Sequence, residues 1–144
     1  MYSQILVPTD GSPASDAAIE HAIDLARQYD ARLHALYVVD GAAYSTLEAG
    51  AEIVIDALES EGETATSRVA EAAEDADVEC TSTVTTGTAY RSIIDYVDEN
   101  NIDMVVMGTH GRKGLNRYLL GSVTERVVRT SEVPVLTVRQ PADE

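Results

Sequence analysis

The sequence predicts an α/β fold, with a five-stranded parallel open sheet flanked by four helices in a single domain spanning residues 1–144. Three observations carry this. Apolar, β-branched runs alternate with amphipathic segments of helical period along the chain, and such alternation requires a parallel sheet with right-handed crossovers and helices on both faces. The run "IDMVVMG" (102–108) is nearly continuous in apolar residues, as a strand buried on both faces must be. A chain of 144 residues with 44% apolar content also suffices for one core, burying about 70% of the surface that it exposes when unfolded.

The elements follow in order. "QILVPTD" (4–10) is an apolar run ending in turn formers and reads as the first strand. In "SPASDAAIEHAIDLARQYD", Ser12 is placed to cap a helix and Pro13 to occupy its first position, with Ala18, Ala22, Leu25 and Tyr29 on one face. "RLHALYVVD" (32–40) is the second strand. A long helix follows, with Ser45 and Glu48 at capping-box spacing and an apolar stripe of Leu58, Ala65, Val69, Ala72 and Ala76; Gly50 and Gly62 blur where it starts. "VECTSTVTTG" (78–87) alternates as a third strand, and "AYRSIIDYVDENN" is a helix with Ile93, Ile94 and Val97 inward. After the fourth strand (102–108), a short helix around "SVTERVVRTS" precedes "VPVLTVR" (133–139), the fifth strand.

Composition excludes several classes. With 25 Asp plus Glu against nine Arg and one Lys, the formal charge is −15, which repels nucleic acid and anionic membranes. An acidic, lysine-poor surface suits work in high salt, where screening removes self-repulsion, so a halophilic source is expected. No apolar run nears the roughly 20 residues of a bilayer span, and the N-terminus lacks the pattern of a secretory signal; the reading is a soluble, cytoplasmic protein. The one cysteine, Cys80, reads as an inert strand residue, His34 as a strand residue and His21 as a helix-face residue. No zinc spacing occurs.

Against this acidity, Gly108 to Arg117 holds three glycines, four basic side chains and no acid. It belongs to "MGTHGRKGLNRYLLGSVTERVV" (107–128). Neither the kinase-type phosphate loop nor the three-glycine dinucleotide fingerprint fits. The spacing is instead Gly108, two residues, Gly111, nine residues, then Gly121-Ser122. Glycines at a strand's end let backbone N–H groups approach an anion, and Ser122 is placed to cap a helix whose N-terminus faces the same anion. In sheets of this kind ligands bind beyond the carboxyl ends of the strands, where strand order reverses, so the important loops are "PTDGS", "VVDG" and "GTHGRKG".

With these motifs the whole chain resembles the universal stress protein family, in its ATP-binding branch. The resemblance implies a Rossmann-like sheet of the adenine nucleotide alpha hydrolase type, in the order 3-2-1-4-5. It also implies an ATP site: Pro8 and Thr9 flanking the nucleoside, Asp10 near the ribose and phosphates, Val38 on adenine, Met107 and Gly108 beside the ribose. Gly111, Gly121, Ser122, Val123 and Thr124 would wrap the phosphates, with Mg2+ bridging phosphate oxygens. The last strand reads as an apolar sheet edge, and the resemblance implies a homodimer through antiparallel pairing there, with Val135, Leu136 and Val138 in the contact.

Other readings stay open at single residues. Asp10 suits a turn as well as a nucleotide. His110 suits ribose or phosphate contact, and no third group is visible to orient it as a base. Arg112, Lys113 and Arg117 are assigned to phosphate on charge alone, against pairing with surface acids. The expected function is a cytoplasmic ATP-binding stress or signalling module with slow or no turnover. The alternatives are a nucleotide hydrolase or an enzyme that autophosphorylates Ser122 or Thr124, and a dimeric interaction domain that binds no nucleotide. A phosphorelay receiver is excluded because the third strand ends in "TVTTG", without an aspartate.

Overall fold

The structure, a computed structural model, describes residues 1–40, 51–109 and 120–139. Five parallel strands, β1 (Gln4–Pro8), β2 (Arg32–Val39), β3 (Cys80–Thr86), β4 (Met104–Gly108) and β5 (Val135–Val138), form one sheet in the order β3-β2-β1-β4-β5. The helices are α1 (Asp16–Tyr29), α2 (Ala51–Asp75), α3 (Ala89–Glu99) and α4 (Ser122–Thr130). This is the expected order, and it places the reversal of strand order between β1 and β4.

Strand alternation sorts the core into two faces. Ile5 and Val7 of β1, Leu33 and Ala35 of β2, Val106 and Val138 pack with α1 and α2. Leu6, Leu36, Val105 and Met107 point the other way, with Ile93, Tyr96 and Val97 of α3 and Val127 of α4. All of β1 from Ile5 to Val7 is buried, which accounts for its unbroken apolar run.

Three helix details depart from the sequence pattern. The inner face of α1 is Ala18, Ala22 and Ala26 rather than a line through Leu25 and Tyr29, because small side chains let the helix lie close to the sheet. Leu25 is only partly buried, and Tyr29 is 45% exposed, edge-on to Tyr2 at 5.1 Å. Ser12 does not cap this helix; a short 3-10 turn, Pro13–Ser15, intervenes, Ser15 becomes the cap position of α1, and neither serine makes a side-chain cap bond.

In α2 the stripe runs through Ala65, Thr66, Val69 and Ala73, while Ala72 is exposed; over 25 residues the 3.6-residue period drifts off a fixed spacing. Gly62 does not interrupt this helix. A Cβ there would lie 2.6 Å from Tyr37 Cδ1, so the glycine lets α2 press on the buried ring. The proposed cap of α2 at Ser45 and Glu48, and Gly50, lie outside the described residues.

His34 has more to do than fill a strand. It is buried, with Nδ1 2.7 Å from the Tyr96 hydroxyl and Nε2 2.7 Å from Gln4 Oε1. His21 sits on the exposed side of α1, its Nδ1 3.1 Å from the Ala17 carbonyl. Cys80 is partly buried in β3, and burial pushes its thiol up, which suits an inert side chain.

Candidate functional site

Two chain segments meet at the reversal of strand order. The first leaves β1. Thr9 continues the β1–β2 pairing by donating its N–H to the Leu36 carbonyl at 2.9 Å. Its buried hydroxyl lies 3.1 Å from the Ser15 hydroxyl and accepts the Gly11 N–H at 3.1 Å. Ser15 in turn donates to the Ser12 carbonyl at 2.8 Å. Asp10 Oδ1 accepts the Ser12 N–H at 2.9 Å and also its hydroxyl. The turn needs glycine at Gly11, whose φ is 78°. Asp10 therefore orders this turn, as aspartate commonly does.

The second segment leaves β4. Thr109 donates its N–H to the Val138 carbonyl at 3.0 Å, and Gly121 donates its own to the Thr109 carbonyl at 2.7 Å. The chain that leaves at Thr109 thus returns to the same point at Gly121. From there α4 begins at once, and the buried Thr124 hydroxyl donates to the Gly108 carbonyl at 2.9 Å. Glu125 donates to the Gly121 carbonyl at 2.9 Å, which leaves the N–H groups of Ser122, Val123 and Thr124 without acceptors inside the helix. Those three amides carry the positive end of the helix dipole at the end of β4.

One side chain takes another role than its spacing suggested. Ser122 is not the cap of α4: Gly121 holds that position in extended conformation (φ −64°, ψ 157°), with no side-chain cap bond, and Ser122 is the exposed first helical residue. Thr124 uses its hydroxyl to fasten α4 to β4, so toward a ligand it offers its amide. Met107 is 5% exposed, its side chain in the core beneath α3 and α4, and Val38 is half-buried beside the same cluster, paired with Thr85.

The structure thus brings Pro8, Thr9 and Asp10 to the end of β1, and Met107, Gly108, Gly121, Ser122, Val123 and Thr124 to the end of β4. Val38 stands one strand further, at the end of β2. His110, Gly111 and Arg112, with Lys113 and Arg117, lie outside the described residues. Ser15 was not visible as a site-building residue, because a serine at a helix start carries no signal of which hydroxyl it will meet.

A cleft of about 220 Å³ also opens between α1 and α2, lined by Thr9, Gly11, Ile19, Arg68 and Val69 among others, with none from β4 or α4. It shares Thr9 and Gly11 with the β1 turn and runs from there between α1 and α2. Among the described residues no group of three or more His, Cys, Asp or Glu gathers to hold a metal ion, and no helix is long and apolar enough to cross a membrane.

Comparison with known proteins covers the whole fold. A model of the universal stress protein family matches residues 1–139. A universal stress protein of Methanocaldococcus jannaschii is 38% identical over 146 residues, which cover 100% of this chain and 86% of the relative. The structure of the universal stress protein UspA from Lactobacillus plantarum superposes with a TM-score of 0.89 at 31% identity, covering 96% of this chain and 98% of that one. A universal stress protein crystallised in complex with cAMP superposes with a TM-score of 0.73 at 23% identity, covering 97% and 98% of the two chains.

Proposed function

Because the chain belongs to the universal stress protein family, we propose that it is an ATP-binding stress-response module that holds its nucleotide with slow or no turnover. The observation that carries this reading is the joint between β4 and α4. One hydrogen bond, Thr124 to Gly108, fixes three amides without acceptors in their own helix beside the β1 turn at the reversal of strand order.

In this reading the α4 amides of Ser122, Val123 and Thr124 hold phosphate oxygens, and Gly108, His110, Gly111, Arg112 and Gly121 of the glycine signature belong to the same site. Pro8, Thr9 and Val38 flank the nucleoside, and Asp10 stands between the sugar and the phosphates. Mg2+ would supply positive charge to neutralise the phosphates, with the Asp10 carboxylate as the side chain available to its water shell. The cAMP bound to the structural relative supports an adenine nucleotide as the ligand class.

The turn made by Asp10 supports slow turnover in this reading. Its Oδ1 already accepts two hydrogen bonds from Ser12, which suits a carboxylate that orders a turn more than one that takes a proton from water.

The same reading includes a cytoplasmic homodimer. β5 ends the sheet, and its outer edge has no strand beside it among the described residues. Val138 is already 8% exposed in its own core and Leu136 packs on the same face, so pairing would run through the backbone of β5. Light scattering should give the mass of two chains; the mass of one at all concentrations would exclude the dimer.

Mass spectrometry of small molecules released from the purified, denatured protein tests the ligand, and a phosphate-release assay tests turnover. An adenine nucleotide in near-equal amount to protein, with little phosphate released, supports the reading. Sustained metal-dependent release that is lost in Asp10→Asn would favour a hydrolase.

A further inference from the structure

Four arginines of the described residues stand within ion-pair distance of a carboxylate, in the pairs Arg27–Asp24, Arg32–Glu79, Arg68–Asp16 and Arg129–Glu125. Arg91, Arg126 and Arg139 have no such partner among the described residues. Arg91 and Arg126 both turn to Tyr90. The Arg126 guanidinium carbon lies 4.8 Å from the centre of the Tyr90 ring, and that of Arg91 5.9 Å. Arg91 Nη2 also donates to the phenol oxygen at 3.4 Å. In a chain with a formal charge of −15, two guanidiniums gathered on one aromatic ring make a local exception.

The exception sits at the ligand edge of the sheet. Tyr90 is the second residue of α3, which starts where β3 ends, and the Gly87 N–H donates to the Val39 carbonyl at 2.9 Å to fasten that start to the end of β2. Arg126 is on α4, four residues beyond Ser122. Val38, Tyr90 and Val123 are each partly buried against the same apolar cluster beneath α3 and α4. The Tyr90–Arg126 stack therefore links the strand end that carries Val38 to the helix whose N-terminus faces the phosphates.

We propose that the Tyr90–Arg126 stack is the surface on which the base of the bound adenine nucleotide packs, with Arg126 and Arg91 adding positive charge toward its phosphates. The inference rests on the nucleotide reading above. Rings and guanidinium planes both stack on bases, and neither selects for sequence or hydrogen-bond pattern. Arg91, by hydrogen bond and charge, together with Arg126, draws the Tyr90 hydroxyl below the usual phenol range, so the cationic character of the spot is felt at the ring itself. Tyr90 thus supplies an aromatic platform that the glycine signature does not encode.

The test compares the wild type with Tyr90→Leu, Tyr90→Phe and Arg126→Met, titrated calorimetrically with Mg-ATP and with inorganic tripolyphosphate, each variant first checked by circular dichroism. Tyr90→Leu should bind ATP about tenfold more weakly, the loss expected for one stacked base, and tripolyphosphate unchanged. Tyr90→Phe should bind both as the wild type does, and Arg126→Met should weaken both. ATP affinity unchanged in Tyr90→Leu, or an equal loss for both ligands, would overturn the inference while leaving the nucleotide site in place. A wild type that binds neither ligand would overturn the nucleotide reading and this one with it.

Discussion

The Thr124 hydroxyl donates to the Gly108 carbonyl across 2.9 Å of buried space, joining the first turn of α4 to the last residue of β4. Replacing it with valine keeps the shape and strands the carbonyl. Thr124→Val should lower the unfolding free energy by about 1–2 kcal/mol, the cost of a buried acceptor left without its donor, and weaken Mg-ATP as the α4 amides lose their anchor. Thr124→Ser should restore both. Urea unfolding and calorimetry on the two variants check this; equal behaviour of valine and serine would contradict it.

Gly62 sets helix propensity against packing. Alanine in a helix interior is worth about 1 kcal/mol over glycine. Here its Cβ would stand 2.6 Å from Tyr37 Cδ1 and 2.9 Å from Cγ, and Tyr37 is 4% exposed with nowhere to retreat. Overpacking of this kind costs about 1–3 kcal/mol, so Gly62→Ala should destabilise the protein despite the better helix former. A higher urea midpoint in the variant would refute this.

Tyr37 and Gly62 also show where sequence reading ends. The fold was legible because alternation and apolar runs are local: Ile5 to Val7 or Val105 to Met107 cannot be anything but buried strand once helices flank them. The ends of β1 and β4 were legible because glycine spacing and turn residues are local too. Partners that come together only by folding were not. Gly62 reads as a residue that blurs where α2 starts until Tyr37 is beneath it. Ser122 reads as a cap until Gly121 takes that position, and Tyr90 reads as a helix residue until α4 brings Arg126 to it. Ala26 in place of Tyr29, and Ala73 in place of Ala72, reflect how flat a helix lies on its sheet, which no single period encodes.

His34 makes stability depend on pH with a definite sign. The Tyr96 hydroxyl and Gln4 Oε1 suit a neutral ring, with Tyr96 donating to Nδ1 and Nε2–H donating to Gln4. Burial first, and the Arg32 charge second, hold the native imidazole below its usual range. The unfolded chain takes up a proton near pH 6.5, about where a free histidine does, while the native state refuses it. The His34 contribution is therefore fully present above that pH, declines as pH falls below it, and stops declining once pH has passed the lowered native value. Urea unfolding of wild type and His34→Gln from pH 8 to 5 should show this extra decline in the wild type alone; parallel curves would contradict it.

The acidic surface predicts a salt response. With 25 acids against 10 bases, self-repulsion acts over the roughly 30 Å Debye length of dilute buffer and collapses to about 3 Å in molar salt. The thermal midpoint should rise between dilute buffer and molar potassium chloride. A midpoint that stays level or falls would remove the case for a high-salt habitat.

The central claim, that phosphates lie between the glycine loop and the start of α4, is tested most directly by calorimetric titration of Mg-ATP in high salt into wild type and Gly111→Val. In the proposed reading the glycines of the signature are there so that backbone amides can approach a phosphate, and a branched side chain at position 111 removes that freedom. Micromolar binding in the wild type that is lost in the variant is the predicted result. No heat from either protein, or equal binding by both, would contradict it.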